Sequence, residues 1–262
     1  MGSPASTIAA ALPVADRLAS IARPIVARYF RQPLDIETKE DLSPVTVADR
    51  TIEAAIRAEL KSVFPDHGVL GEEFGDDRID SEWVWVIDPI DGTKAFITGS
   101  PLFGTLISLC HWGKPVVGVM DCPALNERWV GATGHGAWYN MGKVKTRACP
   151  KLNQAISYSS SPQMFQGVDE APAKRFAEAV KLPLYGGDCY GYALMAAGWS
   201  DMVLEARLKP YDYCAIVPII EGAGGVVSDW AGRPLVINSD GRMLACGDPA
   251  LQAQAVAVLD AG

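Results

Sequence analysis

One stretch constrains this chain more than any other: Trp83-Val84-Trp85-Val86-Ile87-Asp88-Pro89-Ile90-Asp91-Gly92-Thr93, an apolar run that stops at two carboxylates, a proline, a glycine and a hydroxyl. Its first five residues are all aromatic or β-branched, the content of a buried strand. Asp88 precedes a proline and is pushed towards an extended backbone, so the strand ends on an acid. Pro89 fixes the next φ, Gly92 lets the backbone approach a ligand closely, and the spacing of Asp88 and Asp91 lets both carboxylates converge beyond the strand. Two hard oxygen ligands there suit a divalent cation such as Mg²⁺, with the N–H groups of Gly92 and Thr93 left to receive an anion. Asp, Pro and Gly also build ordinary turns, so the motif alone leaves a turn and a site equally open.

Two further segments tip the balance. Gly71-Glu72-Glu73 lies upstream in a loop, and Leu208-Lys209-Pro210-Tyr211-Asp212-Tyr213, far downstream, opens an apolar helix with another acid. With these pieces the sequence resembles the inositol monophosphatase family of Mg²⁺-dependent, lithium-sensitive phosphatases over nearly its whole length. The resemblance implies an α+β fold, a layered α/β/α/β/α sandwich of the inositol monophosphatase and fructose bisphosphatase type, with a site between its halves. It implies two or three Mg²⁺ ions, one held by Glu72, Asp88 and the carbonyl of Ile90, another shared by Asp88, Asp91 and Asp212. Glu72 and Thr93 would orient and deprotonate the attacking water, Asp49 would accept from the Thr93 hydroxyl, and Gly92 and Thr93 would receive the phosphate. Taken alone, Asp49 reads as an acid capping the first turn of a helix. Glu73 reads as a solvated neighbour, and Lys39 stands where the family often has a lysine near the metals, at a spacing too loose to assign it. The resemblance also implies a homodimer.

Substrate choice is written in the second half. Gly187-Asp188-Cys189-Tyr190 and the segment Glu205 to Cys214 depart from the inositol-cleaving members and look like the branch that dephosphorylates histidinol phosphate in histidine biosynthesis. Histidinol carries an ammonium and an imidazole, so a pocket adding Asp188 and Glu205 to Asp212 can take up a cation that inositol lacks. Arg207 and Lys209 read equally as phosphate contacts and as surface cations. Inositol phosphate, a sugar bisphosphate or a phosphorylated nucleotide are the competing substrates. A non-catalytic antitermination partner, as one relative is, competes from another class; four mutually repelling acids at 72, 88, 91 and 212 argue against it.

Composition excludes other classes. With 262 residues, 49% of them hydrophobic, the chain can bury a large core, and its net charge of −8 argues against a sequence-independent grip on nucleic acid. An acidic surface repels phosphate esters, so the site needs metal and backbone dipoles to invert the field. The six cysteines are scattered without a CxxC pair, which points to reduced thiols in the cytoplasm, and His67, His111 and His135 lack metal-ligand spacing. No apolar run reaches the ~18 residues of a membrane span.

Along the chain, apolar spacing predicts a first helix over Ile8 to Arg31 kinked at Pro24, a loop over Glu37 to Pro44, and a second helix capped by Thr46 with Ile52, Ile56, Leu60 and Val63 inward. Strands over Leu102–Cys110, Pro115–Met120, Glu127–Gly131 and Gly136–Tyr139 read as an antiparallel meander. The basic stretch from Asn140 to Asn153 separates two halves, 1–145 with the main metal motif and 146–262 with the substrate residues and the last metal ligand. The second half alternates strands and helices, including one helix over Tyr211 to Ala223 and a final helix over Pro249 to Leu259.

Overall fold

The apolar run at Trp83 lies inside an eight-stranded sheet. The computed structural model describes residues 3–32, 36–38 and 44–261, the pieces 36–38 and 44–46 by backbone alone; Lys39 and the Thr46 side chain lie outside the described residues. The first elements are α1 (Pro4–Tyr29), β1 (Ile36–Thr38), β2 (Pro44–Thr46), α2 (Val47–Val63), β3 (Gly68–Gly71), β4 (Gly75–Asp77) and β5 (Trp83–Asp91). They are followed by α3 (Thr93–Ile97), β6 (Gly104–His111), β7 (Lys114–Cys122), β8 (Glu127–Ala132), β9 (Gly136–Tyr139) and β10 (Gly142–Lys143). The sheet order is β10-β9-β8-β7-β6-β5-β3-β4, and the pairing of β3 with β5 is its one parallel pair. The expected meander is present as β6 to β9. At the two ends of the expected loop β1 and β2 pair antiparallel; its residues 39–43 lie outside the described residues.

The second half contributes β11 (Ile156–Ser159), α4 (Glu170–Ala179), β12 (Leu182–Tyr185), α5 (Asp188–Ala196), β13 (Met202–Glu205), α6 (Pro210–Tyr213), α7 (Ile216–Gly222), β14 (Val226–Ser228), β15 (Met243–Cys246) and α8 (Gln252–Asp260). Its five strands run β12-β11-β13-β15-β14, parallel across β12, β11 and β13 and antiparallel through β15 and β14.

Alternation along the strands builds the layers. Trp85 and Ile87 point into a core with Leu18 of α1 and Ile52, Ile56 and Leu60 of α2. Val84 and Val86 point the other way, into a core with Tyr192 of α5, Ile216 and Ile220 of α7, and Val203 and Ala245 of the second sheet. Met202, Leu204 and Leu244 cover that sheet's far face together with Phe176 of α4 and Leu259 of α8. The result is a five-layer α/β/α/β/α sandwich. Because β5 is buried on both faces, its sequence is a continuous apolar run rather than an alternating one.

Prolines behave in two ways. Pro13 and Pro24 sit inside α1 on its exposed side, as do Ala9 and Ser20, whose carbonyls lose their helix donor, and the helix runs through both. Pro218 is buried, and the helix expected over Tyr211 to Ala223 is split at Cys214-Ala215. Pro218 has no N–H for the Cys214 carbonyl; the Ser108 hydroxyl of β6, shared with the Val117 carbonyl at 2.8 Å, reaches it instead at 3.0 Å. A Cβ on Gly118 would come within 1.9 Å of the Ala215 carbonyl oxygen, so glycine there lets the broken helix press on β7. The four-residue β15, apolar and buried throughout, offered no alternation to read.

The histidines take structural places. His67 stacks on Phe64 and accepts from Trp85 Nε1 at 3.1 Å, His111 stacks on Trp83, and His135 is exposed.

Candidate active site

At the end of β5 the pairing with β6 slips. Asp88 opposes Leu106 whereas Asp91 opposes Gly104, three steps on one strand against two on the other. Residues three apart on a regular strand face opposite sides; the extra residue in this bulge restores Asp88 and Asp91 to one side. The Pro89 carbonyl inside the bulge accepts from the buried Thr105 hydroxyl at 2.8 Å. Gly92 then takes φ 81° and starts α3. A side chain there would be strained, and its Cβ would sit 3.3 Å from Asp188 Oδ2, so glycine lets α5 bring an acid up to the turn.

Asp212 arrives on α6, which packs on β5, and its Oδ2 accepts from the Lys209 N–H at 2.6 Å. Asp88, Asp91 and Asp212 each offer a carboxylate oxygen, all within 4.8 Å of one another. Glu72, Asp88, Ile90, Asp91, Gly92, Thr93, Asp188 and Asp212 line a single cleft of about 190 Å³, with Lys94 at its rim. Eight of the ten residues singled out in the sequence therefore meet on one surface. Asp49 and Glu205 are set back from it. Asp49, 2% exposed, lies near enough to raise the pKa of Asp88. Glu205, 3% exposed, accepts from the Ser160 N–H at 2.8 Å, from the Ser160 hydroxyl, and from Tyr192 Oη at 3.0 Å. Glu205 also lies close enough to Asp188 on the cleft wall for the charge of one acid to disfavour that of the other. Larger cavities of about 240 to 440 Å³ lie elsewhere; that of about 310 Å³ is lined by Arg233 and Arg242, already paired with Asp229 and Asp169, and that of about 440 Å³ by Arg57, Lys61 and Arg78 with Asp77.

The electrostatics are those of acids held without a cation. Burial, then Glu72, Asp91, Asp212 and Asp49, pushes Asp88 well above the ordinary carboxylate range. Burial and then Asp212 do the same to Asp91, even though Asp91 Oδ2 accepts from the Cys189 N–H at 2.8 Å. Burial lifts Asp212 and Glu205 each to about 7. Asp88 Oδ1 is buried with no hydrogen-bond partner among the described residues. A buried, unpartnered carboxylate oxygen beside two further acids fits a hard divalent cation, which would satisfy the oxygen and offset the repulsion together.

The sequence reading treated Glu73 as solvated. Its side chain is in fact only 3% exposed and faces Arg50 at 3.5 Å. It also passed over Ser160, Tyr192 and a buried acid on α2, Glu53. The signal for Glu53 was present: an acid on the apolar stripe of α2, one turn beyond Asp49. Arg207 donates to Gln166 at 2.8 Å, and neither Arg207 nor Lys209 lines the cleft.

An acid cluster of this kind, at a strand end and open to a small cleft, defines a metal-dependent hydrolase site suited to a compact anionic ester. The inositol monophosphatase family profile matches residues 9–261. The chain is 44% identical over 256 residues to the bifunctional phosphatase IMPL2, chloroplastic, of Arabidopsis thaliana, covering 94% of this chain and 74% of the relative. It is 35% identical over 232 residues to a histidinol-phosphatase of Chlorobaculum parvum, covering 88% and 90% of the two chains. A solved structure of an inositol monophosphatase from Zymomonas mobilis superposes with a TM-score of 0.89 at 42% identity, over 99% of this chain and 100% of that one. The chain belongs to the inositol monophosphatase family, whose enzymes are metal-dependent phosphatases that generally use Mg²⁺.

Proposed function

We propose that this chain is a Mg²⁺-dependent phosphatase of L-histidinol phosphate, releasing L-histidinol and inorganic phosphate. The observation that carries the reading is the acidic wall beside the metal-holding acids, where Asp188 comes up to the Gly92 turn. Asp188 lines the cleft, and near enough to feel its charge is Glu205, a buried carboxyl held by Ser160 and pushed up to about 7. A substrate bringing an ammonium or imidazolium group to that wall draws Glu205 into its charged form, whereas a neutral polyol gains nothing from it. The name of the Chlorobaculum parvum relative agrees.

In this reading Glu72, Asp88 and the Ile90 carbonyl hold one ion, and Asp88, Asp91 and Asp212 hold another. Bound Mg²⁺ supplies charge neutralisation at the phosphoryl group and a lowered pKa for water. Glu72 takes a proton from the attacking water as its oxygen bonds to phosphorus and the ester P–O bond breaks; the departing alkoxide takes a proton from solvent water, and Glu72 returns its own to solvent. The Thr93 hydroxyl donates to the Ile90 carbonyl at 3.0 Å, and turning it to Asp49 would present its lone pair to that water. The N–H groups of Gly92 and Thr93 receive phosphoryl oxygens. We further propose a homodimer, as the resemblance implies, and a reducing, cytoplasmic setting, supported by six cysteines that are all buried and free. Among the described residues no helix is long and apolar enough to cross a membrane.

Hydrolysis of inositol 1-phosphate is the second reading, favoured by the name of the Zymomonas mobilis protein. Phosphate release by the purified enzyme in Mg²⁺ separates the two. kcat/KM for histidinol phosphate is expected to exceed that for inositol 1-phosphate by at least ~10-fold, or about 1.4 kcal/mol. The reverse order overturns the substrate assignment.

A further inference from the structure

Glu53 is the most deeply buried acid of α2, at 0% exposure, and the reaction as described leaves it unused. Burying a carboxylate is costly unless its oxygens are fully engaged, so its partners state its role. Its Oε2 accepts from the Glu73 N–H at 2.7 Å, and its Oε1 accepts from the Phe74 N–H at 3.3 Å and from Arg57 Nε at 2.7 Å. Arg57, one helical turn further along, also donates to the Gly75 carbonyl. These are the residues of the turn between β3 and β4, the turn that carries Glu72.

The Glu72 N–H is itself tied to the Ile87 carbonyl of β5 at 3.2 Å. Glu72 is thus fixed to the central sheet at its own amide and to α2 through the next two. Gly71 completes the arrangement. A Cβ there would come within 1.9 Å of Glu53 Oε1, so the glycine before Glu72 leaves the space that the Glu53 carboxylate occupies. Within the turn the Glu73 side chain turns inward towards Arg50, while Phe74 stands out in solvent at 52% exposure and adds little packing of its own. One helix therefore offers two buried acids a turn apart: Asp49 beside Asp88, and Glu53 beneath the turn of Glu72.

We propose that Glu53 is a positioning residue: by clamping the Glu73 and Phe74 amides it holds the Glu72 carboxylate towards Asp88, where it joins the metal-holding acids. The proposal rests on the metal-dependent reading of the cleft. It separates Glu53 from an ordinary buried ion pair, because its loss should appear in metal affinity and not only in stability.

The test uses Glu53→Gln, which keeps the shape and one acceptor oxygen but loses the charge. Three quantities are read: Mg²⁺ or Mn²⁺ affinity by calorimetry, kcat and KM for the phosphate ester, and hydrogen exchange of the 72–75 turn in metal-free protein. Groups that orient metal ligands from behind typically alter metal affinity 10- to 100-fold. A metal affinity weaker by ~10-fold, a lower kcat restored by excess metal, and faster exchange at Glu73 and Phe74 are expected. Unchanged metal affinity in a variant with a lowered melting temperature would overturn the proposal and make Glu53 a structural ion pair, as would unchanged exchange. If Glu53→Gln does not fold, Glu53→Asp, which keeps the charge but falls short of the amides, is read in the same way. Wild-type protein that bound no divalent cation would instead sink the metal-dependent reading, and the two failures are told apart by which protein shows them.

Discussion

Asp88 on β5 and Asp121 on β7 flank the same strand and are almost equally sealed from solvent, at 2% and 0% exposure, yet their surroundings are opposite. Asp121 is held by two arginines, Arg23 Nε at 2.9 Å and Arg128 Nε at 2.6 Å. Asp88 has no arginine or lysine among the causes that set its pKa, only burial and four other acids. Asp201 repeats the Asp121 pattern in the second sheet: Arg147 and the Ile156 N–H hold its pKa below the ordinary range, against the pull of its burial. A buried acid with an arginine belongs to the fold, and one buried among other acids is kept for a ligand. Burial alone does not distinguish them.

The largest expected effect breaks this pair directly. Asp88→Asn removes a charge that nothing in the metal-free protein compensates, so folding should be unharmed or improved while kcat/KM falls by at least ~10³-fold, about 4 kcal/mol of transition-state stabilisation. Asp121→Asn should do the reverse. It removes the acid that Arg23 and Arg128 share, leaving Arg23 with Asn126 and Arg128 with Asp16, a loss of roughly 1–3 kcal/mol of stability, with kcat/KM per folded molecule nearly unchanged. Denaturant titration and steady-state kinetics on both variants decide the matter. If Asp88→Asn were the destabilised one and still turned over, the assignment of the two acids would be inverted.

This contrast was only half legible in the sequence. The strand into Asp88 declared itself because five consecutive bulky residues fit a strand buried on two faces. The convergence of Asp88 and Asp91 depended on a bulge, and Pro and Gly in the motif hinted at one without fixing its register. What could not be read was pairing across distance. Arg23 meets Asp121 from 98 residues away, and Ser160 meets Glu205 from 45, contacts that only the layered packing creates. Likewise the split between α6 and α7 follows from Pro218 together with a hydroxyl on β6, and the proline alone sits where an intact helix seemed continuous by apolar spacing. Glu53 went unnoticed because an acid in an apolar stripe reads as a blemish until its acceptor role towards another loop is visible.

The next effect sharpens the contrast by pH. An acid whose folded pKa lies above its unfolded value of ~4 favours the folded state fully below that value, and the contribution is lost as pH rises through the folded pKa. Asp88 and Asp91 are shifted up and Asp212 stands at about 7, so metal-free protein should lose stability between about pH 5 and 8. Asp201, shifted down, contributes in the opposite sense: its stabilisation is present above ~4 and is lost only as pH falls through its lowered pKa. Melting temperatures in chelator should therefore decline across pH 5 to 8, and saturating Mg²⁺ should remove the share due to Asp88, Asp91 and Asp212, leaving the smaller share due to Glu205. Parallel curves with and without Mg²⁺ would place the raised acids outside the metal's reach.

The smallest effect concerns Glu205, which belongs to neither class. It is buried like Asp121 but answered only by neutral donors, Ser160 and Tyr192, and its pKa of about 7 leaves it part neutral at physiological pH. Glu205→Gln keeps the volume and an acceptor for the Ser160 amide, and its new N–H can donate to the Tyr192 oxygen, so the wall should stay folded. What disappears is the ability to become an anion when a cation approaches Asp188. KM for histidinol phosphate should rise by ~10-fold, about 1.4 kcal/mol, with a change below ~2-fold for a neutral ester such as glycerol phosphate. The pH profile gives an independent reading. With metal bound, Asp212 ionises well below neutrality, leaving Glu205 as the group titrating near 7; wild-type KM for the cationic substrate should then fall from pH 6 to 8, and that fall should vanish in Glu205→Gln. Equal losses on both substrates, or a wild-type profile that the substitution leaves in place, would make Glu205 a wall of the fold and return substrate choice to Asp188 alone.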